Sequence, residues 1–168
     1  MSSPSQPYLS ILAMARNECP SYHEWLAHHR QQGVEHFYII DNNSTDVSCH
    51  AALERQNDVT LWHWMRRANK ASSNQNAAYN HYMPQAARTQ WLAIIDVDEF
   101  SFGINATLAS FFRSLPTTVR QLCLPWVTFG RASANKNSDG SPRLLKWQPE
   151  CVAKANVWRR ANSGTIGK

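Results

Sequence analysis

Four short apolar runs, each followed by a polar or amphipathic stretch, constrain the fold of this chain more than any other feature. "YLSILAMA" at 8–15 has strand length. "SYHEWLAHHRQQG" follows it, with a capping-box start from Ser21 to Glu24 and a Gly33 stop. Its Tyr22, Trp25, Leu26 and His29 recur at the spacing of one helix face. "EHFYIID" at 35–41 is the next strand, and "STDVSCHAALERQ" is a second helix with Ser44 as its cap. "VTLWHW" at 59–64 is a third strand, and Ser72 with Gln75 opens a helix that runs to about Arg88. "WLAIID" at 91–96 closes the series. Alternation of this kind implies βαβ crossovers and a mostly parallel sheet with helices on both faces.

In such sheets ligands sit outside the carboxyl ends of the strands. Here the strands run into Arg16-Asn17-Glu18, Asp41-Asn42-Asn43, the segment from His63 to Arg66, and Asp96-Val97-Asp98. The topology brings those polar ends together.

Beyond residue 100 the pattern is less regular. "NATLASFFRSL" at 105–115 places Leu108, Phe111, Phe112 and Leu115 at helical spacing, with Asn105 as N-cap. "RQLCLPWVTFG" at 120–130 is a strand broken by Pro125, and "RASANKNSDGSP" has the composition of a loop. "RLLKW" and "VAKANVW" are expected as two more strands, antiparallel or at the edge.

With 168 residues, 43% hydrophobic and 17% charged, the chain is expected to be a single globular domain over 1–168. It lacks a run of 18 apolar residues, and "MSSPSQP" has no signal-peptide character. A soluble, cytoplasmic protein without a transmembrane segment is the expectation. Cys19, Cys49, Cys123 and Cys151 lie far apart with no CxxC pair, so free thiols are expected. Residues 1–100 carry 7 Lys+Arg against 10 Asp+Glu, whereas residues 101–168 carry 10 against 2. That split suits an anionic ligand facing a cation site, or simply an exposed basic face. No Arg-rich run is interleaved with aromatics, so nucleic acid is not the expected partner.

The segment "IIDVDEF" at 94–100 sets three acids at the end of an apolar run. Burying a carboxylate is costly unless a cation meets it, so Asp96, Asp98 and Glu99 either sit solvated in a turn or hold a cation. Hard oxygen ligands suit Mg²⁺ or Mn²⁺. A phosphatase of the haloacid-dehalogenase type also uses a strand-terminal DxD, but Gly-Thr or Gly-Val usually follows there, and this chain has Glu99-Phe100.

Together, "MARNECPSYHEWLAHHRQQGVEHFYIIDNNSTD", "WLAIIDVDEF" and "LPWVTFG" resemble the glycosyltransferases of the GT-A (Rossmann-like) fold, in the family 2-like and family 92-like group, over residues 9–130. The resemblance implies a three-layer α/β fold. It also implies sugar transfer from a UDP- or GDP-linked donor to a saccharide, lipid-linked or protein acceptor, with Mn²⁺ or Mg²⁺ at the DxD. Asp98 would bind the metal directly, and Asp96 the metal through water or the donor ribose. Ala15, Arg16 and Glu18 would line the nucleotide, Asp41 would meet the base or ribose, and Asn43 would border them. Ser44 and Asp46 would touch the ligand or only cap a helix. Lys70 and Gln75, with Asn80, would face the same cleft. His28 and His29 suit packing, and Trp126 either an acceptor platform or the core.

An inverting transferase needs a carboxylate base. Downstream of Asp98 the candidates are Asp139 and Glu150, with Glu99 better suited to buttressing the metal site. Many relatives complete the metal shell with a late histidine, and here none follows His81. A truncated or minimal domain fits that, so a nucleotide-sugar-binding or inactive interaction domain of a larger enzyme is the competing expectation.

Overall fold

The computed structural model describes residues 6–65, 74–126, 131–136, 142–144 and 152–159. Strands β1 (Leu9–Ala15), β2 (His36–Asp41), β3 (Val59–His63) and β4 (Trp91–Ile94) alternate with helices α1 (Cys19–Gln31), α2 (His50–Glu54) and α3 (Asn74–Ala86). Helix α4 (Leu108–Ser114) follows, then β5 (Gln121–Trp126), β6 (Arg131–Lys136), β7 (Pro142–Leu144) and β8 (Val152–Arg159). The main sheet has the order β3-β2-β1-β4-β8-β5. β1 to β4 pair in parallel, and β8 runs antiparallel between β4 and β5.

Side-chain alternation on the strands explains the three layers. Leu9, Ile11, Ala13, Phe37, Ile39, Trp91 and Ala93 point to one face, where Trp25, Leu26, Leu108 and Phe112 cover them. Leu12, Ile40 and Leu92 point to the other, against Ala78, Tyr79 and Ala86 of α3. Each fully buried Ile, Leu or Phe contributes about 1.5–3 kcal/mol, so strands clad on both sides anchor the domain. The polar Ser10 is buried among them, and its hydroxyl donates to Thr89 Oγ1 at 3.1 Å.

The structure departs from the sequence expectations at several ends. α1 begins at Cys19, with Glu18 as N-cap and Pro20 in the first turn; Ser21 gives its hydroxyl to Glu18 Oε2 instead of capping. Gly33, at φ +84°, follows the end of α1 as expected, and a Cβ there would lie 2.5 Å from Ala109 Cβ. α2 does not start at Ser44. The polar groups of that segment are taken up by loop hydrogen bonds, and only His50–Glu54 is helical. Thr107, not Asn105, caps α4, accepting from Ser110 N. The segment expected as a loop contains β6, which pairs with β7 in a separate two-stranded sheet. Pro125 does not break β5 but falls at a register shift after Leu124. β8 is antiparallel, one of the two expected alternatives, and lies inside the sheet, leaving the edge to β5.

Candidate functional site

Register fixes which residues meet at the carboxyl edge. Ala15, Asp41 and His63 are lateral neighbours across β1, β2 and β3. Leu12 is level with Ile94, so Asp96 and Asp98 leave the sheet at that same edge in the turn after β4. A broad hollow lined by Tyr8, Glu35, Gln90, Arg113, Arg120 and Arg159 lies at the opposite edge, away from these acids.

The loops after β1 and β2 are stitched together. Asn17 and Asn43 hold the left-handed conformation, at φ +60° and +55°, which asparagine tolerates better than most residues. Asn17 Oδ1 accepts from Thr45 N at 2.8 Å and Asp46 N at 3.2 Å, while Asn17 N donates to Ser44 Oγ at 2.9 Å. Cys19 and Cys49 are joined in a disulfide across the same two loops. This overturns the expectation of free thiols. The partners are 30 residues apart in sequence, and only the adjacency of two crossover loops brings them together. Cys123 keeps its thiol, and Cys151 lies outside the described residues.

Asp41 is 5% exposed. Its carboxylate accepts from Ser44 N and stands 3.4 Å from His63 Nδ1 and 3.8 Å from His50 Nε2. Ser44 and Asp46 cap no helix; Asp46 Oδ1 instead accepts from Ser48 N and Ser48 Oγ. Those hydrogen bonds hold the Asp46 carboxyl below its usual range. Tyr22 of α1 packs close by: burial first, then the charges of Asp41 and Glu18, raise its phenol.

The acidic turn is clamped by one face of α1. Trp25 Nε1 donates to Asp96 O at 3.1 Å and to Glu99 O at 3.0 Å. Ser101 N donates to His29 Nε2, which leaves the His29 Nδ1 proton for Trp25 O at 2.9 Å. Burial pushes the His29 imidazole down to about 4. His28 Nε2 reaches Ser101 O at 2.9 Å. The α1 histidines therefore hold structure, as expected. Glu99 turns back so that its Oε2 accepts from Asp96 N at 3.2 Å, and Asp98 is exposed at the tip. Negative charge concentrates here: burial first, with Asp96 and Glu99 adding to it, pushes the Tyr79 phenol up to about 12. Gln75, one turn earlier in α3, donates to that phenol at 3.3 Å.

Of the residues expected at a site, Ala15, Arg16, Glu18, Asp41, Asn43, Asp96 and Asp98 lie at the strand ends or in the segments that follow them, and Gln75 lies in the first turn of α3. Lys70, Ser72, Asp139 and Glu150 lie outside the described residues, and Trp126 is described only as the last residue of β5. His50 and the disulfide went unrecognised in the sequence, because no motif surrounds His50 at the start of α2 and the two cysteines are 30 residues apart.

A sheet of four parallel strands joined to an antiparallel one, covered by helices on both faces and edged with acids, defines an α/β domain of the GT-A type. Residues 21–160 match glycosyltransferase family 92, and the chain belongs to that family. A family 92 protein of Oryza sativa subsp. japonica is 30% identical over 137 residues, which cover 76% of this chain and 22% of that protein. One of Ricinus communis is 32% identical over 99 residues, covering 55% of this chain and 16% of the relative. The chain thus spans about a fifth of the length of the curated relatives it matches. Among solved structures, a 4-diphosphocytidyl-2C-methyl-D-erythritol synthase from Anaerococcus prevotii shares the fold at a TM-score of 0.50, with 5% identity over 92% of this chain and 72% of that one.

Proposed function

We propose that this chain binds a nucleotide-diphosphate sugar at the carboxyl edge of its sheet and serves metal-assisted transfer of a hexosyl or pentosyl group. The observation that carries the reading is the placement of Asp41, Asp96 and Asp98 on one edge of a family 92 domain. Asp41 would take the base or ribose of a UDP- or GDP-linked donor, with Ala15, Arg16, Glu18 and Asn43 bordering it. Asp98, exposed at the tip, and Asp96 would hold Mn²⁺ or Mg²⁺; their hard oxygens and the negative potential felt by Tyr79 fit such an ion. When bound, the ion supplies positive charge to a leaving diphosphate. Trp25 and Glu99 keep the turn in shape, and Gln75 and Lys70 would meet the donor. Asp139 and Glu150 stay as candidate bases for an acceptor hydroxyl on a saccharide, lipid or protein.

No helix among the described residues is long and apolar enough to cross a membrane. The Cys19–Cys49 disulfide fits an oxidising compartment better than the cytoplasm expected from the sequence. A second reading, a donor-binding module within a larger enzyme, is favoured by the small share of each relative that the chain covers. Calorimetry with UDP- and GDP-sugars, with and without Mn²⁺, tests donor binding, and a transfer assay separates enzyme from module. Absence of nucleotide binding under every condition would overturn both readings.

A further inference from the structure

We propose that Asp41, His50 and His63 form a binding site for a borderline transition-metal dication, with Zn²⁺ the best fit, separate from the acidic turn. One ligand atom from each residue lies within 4.8 Å of the others. His63 Nδ1 stands 3.4 Å from Asp41 Oδ2 and His50 Nε2 3.8 Å from Asp41 Oδ1, each close to the edge of a metal tetrahedron, and turning the carboxylate would bring one oxygen to both imidazoles. With metal–nitrogen bonds of about 2.1 Å that edge is about 3.4 Å, so small side-chain movements would complete the site.

The donors stand on regular elements. Asp41 ends β2, His63 ends β3 and His50 opens α2. Tyr82 donates its hydroxyl to His63 O at 3.1 Å, which fixes that strand end. Ser44 N lies 3.2 and 3.4 Å from the two Asp41 oxygens and orients the carboxylate, as outer partners do at metal sites. Two imidazoles and one carboxylate favour zinc, cobalt or nickel over magnesium.

The surroundings point the same way. Asp41 is almost fully buried, and its contacts with His50 and His63 are ion pairs only when an imidazole is protonated. A bound dication balances the buried carboxylate without that proton. The His63 side chain is 54% exposed, which gives an ion a way in and leaves room for water as a fourth ligand. Cys19 and Cys49 also lie near His50, but their disulfide withholds thiolates and leaves an N/O donor set.

The site shares Asp41 with the proposed donor site, but its test needs no nucleotide, so its failure leaves the donor reading standing. The 168-residue chain, stripped of metal and kept free of reductant, is titrated with Co²⁺ and followed by its visible absorption. Wild type and Asp98→Ala should each saturate at one equivalent, and Zn²⁺ should displace the cobalt. His63→Gln should weaken binding by at least about tenfold, and the His50→Gln/His63→Gln pair should abolish the band. A second measurement uses wild type alone: Zn²⁺ should shield His50 and His63 from diethylpyrocarbonate, read by mass spectrometry. Unchanged titration in the histidine variants, loss of binding in Asp98→Ala, or unshielded imidazoles at saturating Zn²⁺ would each overturn the proposal.

Discussion

The indole nitrogen of Trp25 lies 3.1 Å from the carbonyl oxygen of Asp96, across 71 residues of sequence. Trp25 is fully buried in the core, so the acidic turn hangs from the best-packed part of the domain. Trp25→Phe should keep most of the packing while leaving the Asp96 and Glu99 carbonyls without their donor. A loss of about 1–3 kcal/mol in denaturant unfolding is expected, together with weaker Mn²⁺-dependent nucleotide binding. Unchanged stability would mean that solvent replaces the indole donor without cost.

His29 gives the domain a defined acid sensitivity. Its folded value, about 4, lies below the ordinary 6.5, so the native state holds the neutral ring. The resulting stability is complete above about pH 6.5 and is lost as the pH falls toward 4, by up to about 1.4 kcal/mol per unit and roughly 3 kcal/mol in all. Urea midpoints measured between pH 7 and 4 should fall more steeply for wild type than for His29→Gln. Parallel slopes would count against a buried neutral imidazole.

The Cys19–Cys49 bond closes a loop of 30 residues, and its chain-entropy contribution is about 3–4 kcal/mol. Reductant or a Cys19→Ser/Cys49→Ser pair should lower the melting temperature accordingly. Hydrogen exchange should rise first around Asn17 and Thr45, the contacts that the bond secures. Loosening that begins at α4 instead would contradict this.

Asp98→Ala should leave the fold intact, because the side chain is exposed, and should remove Mn²⁺-dependent nucleotide binding. With donor and metal at a hundredfold excess over the dissociation constant, wild type should gain roughly 2.7 kcal/mol and the variant nothing. Equal thermal shifts in the two proteins would dissociate the acidic turn from metal binding.

What the sequence disclosed follows from what periodicity encodes. Apolar runs of strand length identified β1 to β4, helical spacing identified α1 and α4, and a capping box identified α3. The acids at the strand ends were legible because parallel topology collects such ends. What stayed hidden depends on distant pairing. Cys19 and Cys49 meet only because two loops are neighbours in space, and His50 meets Asp41 only because the β2–α2 connection folds back on itself. α2 shrank because Asn17, from another loop, draws Thr45 and Asp46 away from helical roles. β6 was missed because its small polar residues resemble a loop; β8 was expected as a strand, but its place inside the sheet leaves no local trace.

The interior place of β8 has a consequence for how the molecule is made. During synthesis β5 emerges some thirty residues before β8, yet the two are hydrogen-bonded neighbours, and β8 also separates β5 from β4. Until Val152–Arg159 leaves the ribosome, β4 has an open flank and β5 has no partner in the sheet. Both are exposed strand edges of the kind that pair wrongly with other chains. The nascent domain is therefore most vulnerable to aggregation just before β8 arrives, when a holding chaperone would have most to shield.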